Sequence, residues 1–179
     1  MKTSVVQGRV WVLLDEEGRL IEDIDTDQIY HNAHLHVTDI SKMGQYALGN
    51  LEGWRDFSAK ARPGDFIVAG RNFGAGSSRQ QAVDCFISLG ISLILAPTFG
   101  AIYYRNAVNS GFPVLRSPEL EGLTEAKRLE TGDKIRVDFK EGSGKNITKN
   151  YTFVLEPMNQ VQHEIYLAGG LFSYGKKLK

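Results

Sequence analysis

The sequence predicts an α/β fold, on two observations. Short apolar runs alternate with helical runs through the middle of the chain, from Phe66-Ile67-Val68-Ala69 to Pro113-Val114-Leu115. That alternation makes strands lie parallel, with helices packed alongside. After residue 130 the character changes to strands joined by turns. The 179 residues suffice for one domain with a sizeable core. No repeat, low-complexity tract or linker divides them, so residues 1–179 are read as one domain.

Taken in order, Val5 to Leu14 reads as a strand with an early break at Gly8. Asp15-Glu16-Glu17-Gly18 is a turn, and Leu20 to Ile24 a short return strand that makes a hairpin. Thr38 to Ser41 resembles a helix entry, with a short helix from Met43 to Leu48 stopped by Gly49-Asn50. Trp54 and Phe57 are expected to pack inward. Arg62-Pro63-Gly64-Asp65 turns into the strand Phe66–Ala69. Helices are expected over Gln80 to Leu89 and Ala101 to Asn109, and strands over Ile91 to Ala96 and Pro113 to Leu115. Further strands follow at Ile135 to Phe139 and Tyr151 to Leu155, with a hairpin-like loop at residues 141–145. Met158 to Leu167 reads as a closing helix ended by Gly169-Gly170. Residues 174–179, closing on Lys176 to Lys179, are expected to fray.

Composition restricts the function. Apolar residues make up 42% and charged residues 23%, ordinary values for a soluble protein. The 21 basic and 21 acidic residues leave no net charge, against a nucleic-acid binder with a broad basic face. No apolar run approaches the roughly twenty residues of a membrane helix. Met1-Lys2-Thr3-Ser4 leads into a strand pattern and not a signal-peptide core, so the expected location is cytoplasmic. The single cysteine, Cys85, sits in an apolar helical run and reads as a small buried hydrophobe. Alone it can hold neither a zinc ion nor an iron–sulfur cluster.

The chemistry concentrates in Gly70-Arg71-Asn72-Phe73-Gly74-Ala75-Gly76-Ser77-Ser78-Arg79-Gln80-Gln81. Strand, glycine loop and helix start follow one another here. Ser77-x-x-Gln80 and Ser78-x-x-Gln81 both fit a capping box. Free N–H groups, the positive end of the helix dipole and a guanidinium meet there, which suits an anion. The known nucleotide loops do not fit. A Walker loop needs a lysine after Gly76, and a dinucleotide fingerprint needs a third glycine at position 79. A G-x-S-x-G nucleophile elbow is absent too. What remains is a serine that can abstract a proton next to a carboxylate, with an arginine to hold that carboxylate. Expelling hydroxide also needs a Lewis acid, for which this chain has no evident ligand set. On residues alone this is an anion-binding site, catalytic or not.

Two other segments carry polar side chains. Asp23, Asp25 and Asp27 alternate; they read either as a charged turn or as carboxylates that orient a glycine-loop arginine. Their spacing fails the calcium-loop pattern, with no following glycine and no closing glutamate. His31, His34 and His36 lack a second ligand cluster and read as loop histidines. A substrate contact by His34 or His36 stays open.

Three stretches together resemble the swivelling domain of the aconitase superfamily: Asn72-Phe73-Gly74-x-Gly76-Ser77-Ser78-Arg79, Asp25-Thr26-Asp27-Gln28-Ile29, and Phe99 with Tyr104-Arg105-Asn106-Ala107-Val108-Asn109-x-Gly111-x-Pro113-Val114-Leu115. Order and spacing agree over roughly residues 5–172. A chain of this size is similar to the small subunits of 3-isopropylmalate dehydratase and homoaconitase. The resemblance implies a three-layer β/β/α domain. It implies a separate large subunit carrying a [4Fe–4S] cluster, and no cofactor or metal on this chain. It implies a hydro-lyase that isomerises a hydroxy di- or tricarboxylate by dehydration and rehydration. 3-Isopropylmalate, in leucine biosynthesis, is the default substrate; homoaconitate or a methylated malate is the alternative, and a non-catalytic regulatory module the rival class. Carried across residue by residue, Ser77 is the base, and Gly76, Ser78 and Arg79 bind substrate carboxylate. Asp25, Asp27 and Asn72 support the site. Two departures stand out. Gln80 replaces the glutamate of many members, and His36 replaces the apolar residue or arginine that would select the substrate side chain.

Overall fold

The computed structural model describes residues 2–178; Met1 and Lys179 lie outside the described residues. Its centre is a seven-stranded sheet in the order β4-β3-β2-β1-β5-β6-β7. The strands are β1 Val5–Val12, β2 Phe66–Val68, β3 Leu93–Ala96, β4 Val114–Arg116, β5 Lys134–Asp138, β6 Ser143–Asn146 and β7 Tyr151–Val154. The helices are α1 Thr26–Ile29, α2 Phe57–Lys60, α3 Gln81–Leu89, α4 Ala101–Asn109, α5 Leu120–Glu125, α6 Gln160–Ala168 and α7 Leu171–Lys177.

β1 is the pivot. Its second half pairs parallel with β2, with Val10 opposite Phe66 and Val12 opposite Val68. Its first half pairs antiparallel with β5, from Val5 opposite Asp138 to Arg9 opposite Lys134. Alternate residues of the parallel strands enter two different cores, as a pleated strand requires. Leu13, Ile67, Ala69, Ile94, Ala96 and Val114 pack with residues of α3 and α4. Val10, Val12, Phe66, Val68, Leu93, Leu95 and Leu115 pack instead against Ile135, Val137, Phe139 and Phe153 from the antiparallel strands. The sheet therefore curls so that one half covers the other. With helices outside, the layers are sheet, sheet and helix, as the resemblance implied.

Several elements differ from the sequence expectations. β1 runs unbroken through Gly8, which pairs with Ile135. Glycine is needed there for close approach: a Cβ would stand 2.2 Å from Gly64 O and 2.7 Å from the Phe66 ring. The return strand at Leu20 to Ile24 reduces to one bridge, Leu14 to Leu20. The expected Met43–Leu48 helix is instead a pair of 3₁₀ turns, Ile40–Lys42 and Gly44–Tyr46. Gly44 lies against the end of α3, where a Cβ would meet Leu89 N at 3.0 Å, and Leu48 turns left-handed at φ 57°. Residues 143–146 form strand β6 and not a loop. The expected frayed tail is helical over Leu171–Lys177, held to α6 by Tyr174 Oη donating to Glu164 Oε2 at 2.8 Å. Trp54 and Phe57 pack inward as expected, and Cys85 is fully buried. No helix among the described residues is long and apolar enough to cross a membrane.

Candidate active site

The glycine loop leaves the C-terminal end of β2 and enters α3, at the edge where a parallel sheet presents its loops. Its entry is fixed by two residues in the left-handed region, Asp23 (φ 53°) and Asn72 (φ 57°). Asn72 Nδ2 donates to Asp23 Oδ1 at 2.7 Å, and Asn72 N donates to Thr98 Oγ1 at 2.8 Å. Gly74, with φ 80°, has no room for a side chain: a Cβ would lie 2.2 Å from Cγ of Tyr103. That ring belongs to α4 and is buried, so it cannot yield cheaply.

The short helix α1 docks on this loop. Asp25 is its N-cap, accepting from Gln28 N at 2.8 Å, while Gln28 Oε1 accepts from Asp25 N at 2.9 Å. This reciprocal pair satisfies donors that a helix start leaves open. Asp25 also bridges Ala75, and Thr26 N donates to Ala75 O at 2.9 Å. The docking brings Thr26 Oγ1 to 3.2 Å from Ser77 Oγ. It also brings Asp27 Oδ1 to 2.8 Å from Arg79 Nη1, which donates further to Tyr30 O at 2.6 Å and Thr26 O at 3.4 Å. The Arg79 side chain is 13% exposed. The Arg79 hydrogen bond holds the Asp27 carboxyl below its usual range, against partial burial; the Asn32 N–H acts the same way.

The structure corrects the capping role expected of the serines. Gln80 is the N-cap of α3, without a side-chain cap bond, so Ser77 and Ser78 precede the helix start. Their hydroxyls turn sideways, Ser77 to Thr26 and Ser78 to Asn106 Nδ2 at 3.4 Å. Gly76, Ser77 and Ser78 are exposed. Gln80 Nε2 donates to Asp84 Oδ1 and Ser110 Oγ, both at 2.9 Å. A glutamate at position 80 would set a carboxylate against Asp84, whose own pKa burial already raises. That gives the departure at this position a physical reason.

The histidines bond mainly within their own turn. His31 Nδ1 accepts from Ala33 N at 3.2 Å, and His36 Nδ1 lies 3.0 Å from Ala33 O. His34 stacks on Tyr46 with ring centres 3.9 Å apart. Burial, with the neighbouring imidazoles, lowers the His34 pKa. His36 has no hydrogen bond to the glycine loop among the described residues. Thr26, Thr98 and Asn106 also bond to the glycine loop, and the sequence reading gave them no place in the site. Thr26 and Asn106 lie inside the quoted motifs, but nothing in the sequence announces that Thr26 meets a residue 51 positions away.

An iron–sulfur cluster takes several thiolates. The sequence has one cysteine, buried in α3, where burial pushes its thiol pKa up. Among the described residues no group of three His, Cys, Asp or Glu side chains is placed to hold a metal ion. The residues of this chain do not fit the cluster.

Fold and site together define an α/β domain that presents an exposed glycine–serine loop beside a clamped arginine. Residues 21–119 match the aconitase C-terminal domain family, and the chain belongs to it. It is 37% identical over 156 residues to the 3-isopropylmalate dehydratase small subunit of Caldicellulosiruptor saccharolyticus, covering 87% of this chain and 86% of that one. It is 35% identical over 174 residues to the isopropylmalate/citramalate isomerase small subunit of Methanocaldococcus jannaschii, covering 97% and 95%. The crystal structure of a 3-isopropylmalate dehydratase from Methanocaldococcus jannaschii superposes with a TM-score of 0.83 at 32% identity, covering 97% of this chain and 95% of that one.

Proposed function

We propose that this chain is the small subunit of a two-chain hydro-lyase of the 3-isopropylmalate dehydratase type. It supplies the proton-moving, carboxylate-binding half of the active site. One observation supports this most directly. Every hydrogen bond of the Arg79 side chain among the described residues runs through Nη1. Nε and Nη2 remain as a fork, the shape that binds a carboxylate through two parallel bonds.

The chemistry follows from the neighbours. With the substrate carboxylate on Arg79 and Ser78, Ser77 Oγ takes the proton from the adjacent carbon. The C–H electron pair becomes the new double bond, and the hydroxyl on the next carbon leaves as hydroxide with its C–O pair, so that the proton held by Ser77 and the hydroxide together make up the one water lost. Rehydration with the opposite regiochemistry completes the isomerisation. Ser77 is a weak base unless its oxyanion is stabilised. The Thr26 hydroxyl at 3.2 Å is placed to donate to it. Gly76, with φ 91°, lets the backbone approach the carboxylate closely. Asp25 and Asn72 hold the two ends of the arrangement. We assign the exposed His36 to the variable end of the substrate.

The departing hydroxide needs a Lewis acid, and we assign that to a large subunit bearing the [4Fe–4S] cluster that the resemblance implies. The exposure of Gly76, Ser77 and Ser78 suits a loop that a second chain covers. The test is to co-purify the chain with candidate large subunits and assay hydration of unsaturated di- and tricarboxylates. The expected result is a complex active on isopropylmaleate and inactive when either chain is omitted. A stable complex that hydrates no unsaturated acid would remove the assignment.

A further inference from the structure

The Asp27 carboxylate is held at both oxygens. Oδ1 accepts from Arg79 Nη1 at 2.8 Å and from Asn32 N at 2.9 Å. Oδ2 accepts from Asn50 Nδ2 at 3.2 Å, and the same amide lies 3.4 Å from Asp27 O. His31 Nε2 stands 4.0 Å from Oδ2. Asn50 comes from a turn that is itself fixed. Leu48 N donates to Ile29 O at 2.8 Å, and Leu48 is left-handed at φ 57°. The turn is thus pinned to the C-terminal end of α1, and Asn50 reaches back to the helix's acid.

A carboxylate with one oxygen tied is free to rotate and to offer its partner either oxygen. With both tied, it offers Arg79 one oxygen in one direction. We propose that Asn50 is a positioning residue, which orients Asp27 so that Asp27 in turn sets the guanidinium plane of Arg79 for the substrate carboxylate. The inference rests on the reading of Arg79 as a carboxylate clamp. It adds to the site a residue that lies in none of the three motifs.

Asn50→Asp keeps the side-chain shape, removes the donor and sets a like charge beside Asp27. In the assembled two-chain enzyme it is expected to raise KM roughly tenfold, with kcat within about twofold, because carboxylate binding is shared by ground and transition states. In an Asp27→Ala background the same substitution should add nothing, since the residues act through one another. A general loss of stability would move neither the KM-to-kcat split nor this non-additivity. The second readout needs no turnover. In ¹⁵N NMR of the full chain, the Arg79 Nη–H signals should be separate in the wild type and should merge in Asn50→Asp. Asn50→Ala repeats both measurements without added charge if the aspartate variant fails to fold. Unchanged Arg79 signals overturn the proposal, whatever happens to KM. Arg79 signals that respond in a complex without turnover would uphold the positioning role and count against the proposed function alone.

Discussion

At Gln80 the amide donates to the Asp84 carboxylate and to the Ser110 hydroxyl. Gln80→Glu replaces a donor with a like charge four positions from an acid on the same helix. Summing a lost hydrogen bond and an i,i+4 repulsion, the variant should be about 1 kcal/mol less stable at pH 8. Asp84 already has a raised pKa, from burial. The penalty should therefore fade as the pH drops through that raised value and the carboxyl protonates. Urea unfolding at two pH values checks both the size and the sign. This residue also marks how much of the site was legible. Glycines, serines and Arg79 marked the loop as the anion-site candidate by type and spacing. Asp27 had two open readings, a charged turn or an arginine partner, and the fold sets its Oδ1 2.8 Å from Arg79 Nη1. Thr26 and Asn50 were silent, because each meets its partner, Ser77 or Asp27, only once the chain has folded.

Among the elements, β1 and β2 are locked by Asp65. Arg9 Nη2 donates to its Oδ2 at 2.6 Å, Trp11 Nε1 at 2.8 Å and Arg62 N at 2.8 Å. Its side chain is 5% exposed. Burial alone would raise the Asp65 pKa, but the Arg9, Trp11 and Arg62 hydrogen bonds outweigh it and hold the carboxyl below its usual range. A depressed folded pKa stabilises above the unfolded value near 4, and that stability is lost as pH falls through the folded value. Asp65→Asn should cost about 3 kcal/mol at neutral pH, on the scale of a hydrogen bond to a charged group. The gap to wild type should narrow in acid; thermal melts from pH 7 down to pH 3 measure it. The helices α3 and α4 and the strands flanking them were readable because apolar runs sit between glycine signals. β6 was not. Its Ser-Gly-Lys-Asn sequence has no apolar alternation. Gly144 is covered by the Phe153 ring, and Asn146 is buried with its amide on Asp133 Oδ2 at 2.7 Å and Arg128 O at 2.9 Å. Neither substitute for an apolar side chain can be seen before the sheet is assembled.

At the scale of the whole molecule, the curled sheet solves a geometric problem. One face of the parallel strands is covered by helices and the other by the antiparallel half of the same sheet. The loop at the edge stays uncovered, with Gly76, Ser77 and Ser78 exposed, where the proposed function sets a second chain. A short α1 and a bend of glycines suffice to dock Asp27 on Arg79 and Thr26 on Ser77 across that edge. The proposed function gives this chain a base and a clamp, and assigns the metal to a partner because the sequence has one cysteine, which is buried. The most direct measurement is the hydration rate of the assembled complex with Ser77→Ala, beside wild type and with complex formation verified. Ser77 removes only an oxygen from an exposed position, so the fold and the assembly should survive. A positioned proton-transfer group contributes roughly 10²–10⁴-fold, and kcat should fall by about that much with KM little changed. A Ser77→Ala complex that hydrates isopropylmaleate at the wild-type rate would contradict the assignment of this loop as the site's base.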